Sequence, residues 1–189
     1  MLDLDLMIIF NGFIRNYINF GLNKESKSID IVKQENRYFI TLGKFLGFSV
    51  TNKKNNNVRN IEISWNEYEF NTMSNSSEKM KILREIDLER DLLAIYNLIK
   101  VIKEKPKNSY IQIVEVSSNS RIDFFNKIIL DSLVNEKNKF LIIYITRDVL
   151  KDFTYYNAYL FENSEITKHK IGFSSYDMEG TLKADFYIK

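Results

Sequence analysis

The segment KFLIIYIT, residues 139 to 146, is almost entirely apolar. A strand with one solvated face alternates apolar and polar residues, so an unbroken apolar run of this length is typical of a strand covered on both faces. The segment SYIQIVEVSS at 109 to 118 has the pattern of another buried strand, and residues 120 to 133 between the two favour a helix. Two buried strands joined through a helix predict a parallel βαβ unit and therefore an α/β fold.

Helical patterns also predict helices in three other parts of the chain. Residues 1 to 22 predict an amphipathic helix, because apolar side chains recur there at steps of three and four. Residues 36 to 46 predict a second helix, followed by a short strand at 48 to 51. One long helix is predicted from 75 to 104, where a regular apolar stripe is formed by Leu88, Leu92, Ile95, Ile99 and Ile102.

The C-terminal part has the alternation of strands joined by turns. A short helix is expected at 147 to 153, followed by a hairpin that turns at Asn163 and Ser164. Residues 182 to 189 read as a closing edge strand. The region from 155 to 189 is therefore expected to be a mostly antiparallel β extension.

The chain is expected to fold as one domain over residues 1 to 189. Its only proline is Pro106, and no glycine- and serine-rich linker interrupts the sequence. The predicted fold class is α/β, with an α/β core at 36 to 146, a mixed sheet, helices on both faces and the antiparallel C-terminal extension.

Composition excludes several classes of protein. There is no cysteine, which rules out disulfides, thiolate metal sites and cysteine nucleophiles. The 27 lysines and arginines nearly balance the 25 aspartates and glutamates, so no strong net field favours nucleic acid or an anionic membrane. No run of apolar residues is long enough for a membrane span, and we expect a soluble, cytoplasmic protein.

The stretch IEISWNEYEF at 61 to 70 contains the candidate site. As a tight hairpin turning at Trp65 and Asn66, it would place Glu62 directly opposite Glu69, and opposed carboxylates destabilise a two-stranded ladder. Full solvation on an outer face, a basic neighbour or a bound divalent cation could offset this repulsion, and a cation such as Mg²⁺ takes oxygen ligands. An acidic patch that contacts a partner is a further alternative.

The predicted element order resembles the core of the PD-(D/E)XK, or restriction-endonuclease-like, nuclease superfamily over residues 36 to 117. The elements that carry the resemblance are the helix at 36 to 46, strands at 48 to 51, 58 to 65 and 67 to 72, the helix at 75 to 104 and the strand at 109 to 117. In that family an acid on the second strand and an E-x-K on the third hold metal and activate water. The resemblance implies that Glu62 and Glu69 fill the acidic positions, with Asn71 where the family has lysine.

Two hypotheses for the function follow. The first is a non-catalytic protein that binds and neutralises a macromolecular partner, as immunity or anti-defence proteins do; it expects a protein partner and no cofactor, and is favoured by abundant tyrosine and asparagine, which suit interfaces. The alternative is a nuclease dependent on Mg²⁺ or Mn²⁺, with Glu62 and Glu69 as metal ligands. Under that alternative Lys53, Lys54 and Arg59 could contact nucleic-acid phosphates, although a solvated loop would explain them equally well.

Overall fold

The computed structural model describes residues 4–54, 60–67, 77–134, 137–148 and 150–187. Within these ranges eight strands form one sheet: β1 (Ser49–Lys54), β2 (Asn60–Glu67), β3 (Ser77–Glu85), β4 (Ser109–Glu115), β5 (Lys139–Asp148), β6 (Phe153–Glu162), β7 (Glu165–Tyr176) and β8 (Leu182–Phe186). The α-helices described are α1 (Leu6–Asn16), α2 (Ser28–Phe45), α3 (Asp91–Glu104) and α4 (Asn119–Ser132), with short 3-10 turns at Tyr17–Phe20 and Leu88–Arg90.

The strands lie in the sheet in the same order as in the chain. Strands β1, β2 and β3 form an antiparallel meander, whereas β3, β4 and β5 run parallel to one another. Helix α3 crosses from β3 to β4, and helix α4 crosses from β4 to β5. The βαβ unit predicted from the two apolar segments is confirmed. Strands β5 to β8 are antiparallel, which confirms the predicted C-terminal extension.

Each face of the sheet carries its own hydrophobic core. Helices α1 and α2 cover one face, where Phe13 packs at a ring distance of 5.5 Å on Phe39. Helices α3 and α4 cover the other face, where Phe125 stacks on Tyr144. Because β4 and β5 are buried between both layers, their apolar residues need not alternate. The chain is thus a single α/β domain with a mixed sheet and helices on both faces.

The N-terminal segment contains the amphipathic helix expected from its spacing. Asp5 caps α1 by accepting hydrogen bonds from the amides of Met7 and Ile8, and the apolar stripe of α1 is buried in the first core. Among the described residues, no helix combines the length and apolar character that crossing a lipid bilayer requires.

The prediction of one helix from 75 to 104 is wrong in its first part. Residues Ser77–Glu85 form strand β3, and only Asp91–Glu104 is α-helical. Met80, Ile82 and Arg84 alternate along β3 and are buried, which is the period of a strand. Of the predicted apolar stripe, Leu92 to Ile102 lie on α3, and Leu88 lies in the 3-10 turn before it.

The predicted short helix and the predicted hairpin turn have different outcomes. The short helix expected at 147 to 153 is wrong, since Arg147 and Asp148 complete β5 and β6 begins at Phe153. The hairpin at Asn163 and Ser164 is confirmed; both residues have positive φ, at 52° and 67°, as the two central residues of a type I′ turn require.

Candidate functional site

The predicted hairpin around Trp65 and Asn66 is wrong, because both residues lie inside the continuous strand β2. Strand β2 pairs with β1 on one side and with β3 on the other. Glu62 therefore lies opposite Lys53 and Leu83 rather than opposite Glu69.

Of the other predicted site residues, two end strand β1 and three lie outside the described residues. Lys53 and Lys54 end strand β1 instead of forming a loop, and the description does not extend to the Lys54 side chain. Arg59, Glu69 and Asn71 lie outside the described residues. The region predicted as the third core strand, 67 to 72, is likewise described only at Glu67, which ends β2.

Glu62 instead belongs to a cluster formed by β2 and β3. Lys81 Nζ lies 3.0 Å from Glu62 Oε1 and 3.5 Å from Glu78 Oε2. The Ser64 hydroxyl donates a hydrogen bond of 2.7 Å to the same Glu78 oxygen. A register shift between Trp65 and Asn66 brings Glu78 onto this face of the sheet. We refer to Glu62, Glu78 and Lys81 as the β2–β3 cluster.

Further donors surround its two carboxylates. Lys53 Nζ lies 3.8 Å from Glu62 Oε1, and Lys105 Nζ lies 3.3 Å from Glu78 Oε1. The Asn108 side-chain amide donates to Glu78 Oε1 at 3.2 Å. The negative charge of the two glutamates is therefore balanced by lysines that the fold itself supplies.

The pKa shifts of the β2–β3 cluster follow from this pairing. Burial alone raises the pKa of Glu78, but the hydrogen bond from Ser64 and the lysine ammonium groups outweigh it and lower the pKa overall. Burial alone lowers the pKa of Lys81, but the two carboxylates outweigh it and raise the pKa. Both groups stay ionised at neutral pH, which does not suit either one to proton transfer there.

The donor set does not fit a divalent cation. Mg²⁺ and Mn²⁺ bind between oxygen ligands, whereas the ammonium group of Lys81 contacts Glu62 and Glu78 together. Among the residues that the structure describes, no group of three or more histidine, cysteine, aspartate or glutamate side chains is arranged to hold a metal ion.

Strand β3 also departs from the acid-x-lysine pattern of the nuclease superfamily. Its acids are Glu78 and Glu85, and the residues two positions further on are Met80 and Asp87. Glu85 Oε1 accepts hydrogen bonds of 3.1 Å from the amides of Ile86 and Asp87, so that carboxylate orders the turn after the strand.

A second polar cluster lies where β3, β4 and β5 end. Arg84 donates to Glu35 of helix α2 at 2.9 Å and to Glu115 of β4 at 3.1 Å. Arg147 of β5 donates to the same Glu115 oxygen at 2.9 Å. These four residues, the strand-end network, join the sheet to α2. Burial raises the pKa of Glu35 despite its arginine partner, and within the described parts of the chain Glu35 Oε1 has no hydrogen-bond partner.

The carboxyl ends of parallel strands are a common place for ligands in α/β proteins. A cleft of about 370 Å³ opens beside the strand-end network, lined by Ser118, Asn119, Thr146, Arg147, Asp148, Tyr155, Asn157, Ile171 and Tyr187. Glu78 is absent from the predicted site because the pattern of 77 to 85 predicts a helix rather than a strand. The strand-end network has no signature in the sequence, because no local motif links four residues from four different elements.

Comparison with known proteins does not identify a family. No protein-family model matches the chain, and no curated protein sequence matches it significantly. Among solved structures, the chain is similar to the central domain of yeast acetyl-CoA carboxylase, with a TM-score of 0.41 and 10% sequence identity. The match covers 84% of this chain and 27% of that one, so the chain spans about a quarter of the length of that structure. A likeness this weak assigns neither family nor activity.

Proposed function

We propose that this protein is a non-catalytic binding protein that neutralises a macromolecular partner, in the manner of an immunity or anti-defence protein. The observation that carries the proposal is the contact of Lys81 with both Glu62 and Glu78. A catalytic metal site keeps its carboxylates available to a cation, whereas here an ammonium group of the same chain binds them.

The surface of the second helical layer supports a binding role. Leu93 and Tyr96 on α3 and Phe124 on α4 are about half exposed. Aromatic side chains are enriched at interfaces, where a tyrosine supplies a large contact area at little entropic cost. The absence of cysteine fits the reducing cytoplasm in which we place the protein.

A metal-dependent nuclease is the second candidate, and one observation favours it. Helix α2, strands β1, β2 and β3, helix α3 and strand β4 follow one another in the order on which the nuclease resemblance rests. The second and third of these strands each contribute an acid to the β2–β3 cluster, namely Glu62 and Glu78.

The test separates the two candidates with one set of purified proteins. Wild type, Glu62→Ala and Glu78→Ala are incubated with plasmid DNA, single-stranded DNA and RNA in Mg²⁺ or Mn²⁺. We expect no cleavage by any of them. In a second experiment, the wild type is mixed with a lysate of its host cells and analysed by size exclusion and mass spectrometry. We expect a stoichiometric complex of the protein with its partner. Metal-dependent cleavage that both substitutions abolish would overturn the proposal.

A further inference from the structure

A basic groove lies at the end of the sheet opposite to the strand-end network. It runs along the start of β4 and β5 and has a volume of about 860 Å³. Among its described lining residues are four lysines, namely Lys79, Lys107, Lys137 and Lys139, and two acids, Glu162 and Glu165. We call it the amino-end groove. The described lining thus has two more positive than negative side chains, which is as large as the formal net charge of +2 on the whole chain.

Two of the four lysines are already paired with carboxylates, and the charge of the other two is available to a ligand. Lys79 lies 3.2 Å from Glu67, and Lys139 lies 3.7 Å from Glu162, so both already have carboxylate partners. Lys107 and Lys137 are exposed. Neither forms an ion pair with any side chain in the described part of the chain.

Asn138 provides an independent observation in the same groove. Only 5% of the residue is exposed, yet neither Nδ2 nor Oδ1 of its side chain has a hydrogen-bond partner among the residues that the structure describes. The backbone is held in place, because its carbonyl accepts a hydrogen bond of 3.1 Å from the amide of Asn163. A buried amide left without partners destabilises a fold, and such a cost is commonly retained where the group has a function.

The chemistry of Asn138 selects among anionic ligands. Its Nδ2 requires an acceptor and its Oδ1 requires a donor. A peptide unit offers both at once through its C=O and N–H, whereas a phosphodiester offers acceptors alone and would leave Oδ1 unpaired. The groove residues described include no aromatic side chain on which a nucleobase could stack.

We propose that the amino-end groove binds an extended acidic peptide segment of a protein partner. Lys107 and Lys137 pair with aspartate or glutamate side chains of that segment, and Asn138 binds one of its peptide units. Because neither amide atom of Asn138 contacts solvent, the amide turns towards the groove when the peptide binds. This inference rests on the proposed function, since it specifies how the partner is recognised.

The experiment is a fluorescence-anisotropy titration of the chain of 189 residues. The probes are a labelled octapeptide of alternating glutamate and serine, its lysine-for-glutamate counterpart and an oligothymidine of similar charge. We expect the acidic peptide to bind best, and a Lys107→Glu/Lys137→Glu variant to weaken it about tenfold or more. A Lys44→Glu/Lys103→Glu variant changes the same number of charges on exposed helix positions outside the groove and should bind like the wild type.

Asn138→Leu separates the two parts of the inference. Leucine has the same branching without polar atoms, so the variant should melt at the same or a higher temperature and yet bind the acidic peptide more weakly. Unchanged binding by Asn138→Leu, equal effects of the two double charge reversals, or tighter binding of the oligothymidine would each overturn the proposal.

Binding to the partner from the host lysate distinguishes a wrong groove assignment from a wrong proposed function. If the partner still binds the Lys107→Glu/Lys137→Glu variant as it binds the wild type, the groove assignment is wrong and the binding function stands. Metal-dependent cleavage by the wild type would instead overturn both.

Discussion

Arg84 Nε lies 2.9 Å from Glu35 Oε2, and this ion pair is buried between strand β3 and helix α2. Arg84 also reaches Glu115, which Arg147 contacts from the next strand. A buried charge without its partner is strongly destabilising, whereas replacing a whole pair by apolar side chains is often tolerated. We therefore expect the strand-end network to determine how α2 docks on the sheet more than it adds to the free energy of unfolding.

Removal of a single partner from this pair should be costly. We expect Arg84→Met to lower the free energy of unfolding by about 3–5 kcal/mol, because Glu35 keeps a buried carboxylate without a cation. The double variant Glu35→Leu/Arg84→Met should lose much less than the sum of the single changes. Urea denaturation followed by the fluorescence of Trp65, the only tryptophan, measures all three. Strict additivity of the two changes would contradict the coupling.

Replacing Lys81 in the β2–β3 cluster by an uncharged residue should create a binding site for a divalent cation. In Lys81→Met, Glu62 and Glu78 would repel each other, and Mn²⁺ would relieve that repulsion. We expect millimolar Mn²⁺ to raise the melting temperature of this variant and to leave the wild type unchanged in a thermal-shift assay. Lys53→Met, at an exposed lysine 3.8 Å from Glu62, is the matched control and should respond weakly. An equal shift in the wild type would mean that Lys81 does not exclude the metal.

The sequence predicted those parts of the fold whose signal is local. The apolar segments that became β4 and β5 needed only their composition and the helix between them, and Asn163 with Ser164 needed only turn chemistry. Strand β3 was missed because its short alternation around Met80 and Ile82 runs directly into a longer helical stripe.

The candidate site depended on register, which no local pattern reveals. Glu62 faces Lys53 and Leu83 because β2 lies between two strands rather than ending in a hairpin. Glu78 joins it through an irregularity at Trp65 and Asn66 that shifts the pairing. The identity of Glu62 as a candidate could be read from the sequence, but its partners could not.

The approach of helix α2 to the sheet makes Gly43 a sensitive position. A Cβ at Gly43 would lie 2.6 Å from Trp65 Nε1 and 2.8 Å from Val50 Cγ2, and Trp65 is fully buried. We expect Gly43→Ala to destabilise the fold by about 1–3 kcal/mol through overpacking, which exceeds the helix-propensity gain of up to about 1 kcal/mol.

Two further variants test that cause. Gly12→Ala in helix α1 makes its close contact with the tip of the Tyr38 side chain, which can move aside, so it should cost less in the same urea titration. Trp65→Phe combined with Gly43→Ala should recover part of the loss, measured by circular dichroism. A Gly43→Ala protein as stable as the wild type would show that α2 can shift away from the sheet.

Acid should destabilise the protein partly through Glu78. The pKa of this carboxyl is lowered in the folded state from 4.5, despite the opposing effect of burial, by Ser64 and the neighbouring lysines. Its stabilising contribution is therefore fully present above that unfolded value and is lost as the pH falls through the lower folded value. Melting temperatures measured across this acidic range should fall more steeply for the wild type than for Glu78→Gln, with Glu25→Gln at an exposed position as the matched substitution. Parallel curves for the wild type and Glu78→Gln would contradict the role of the β2–β3 cluster in acid stability.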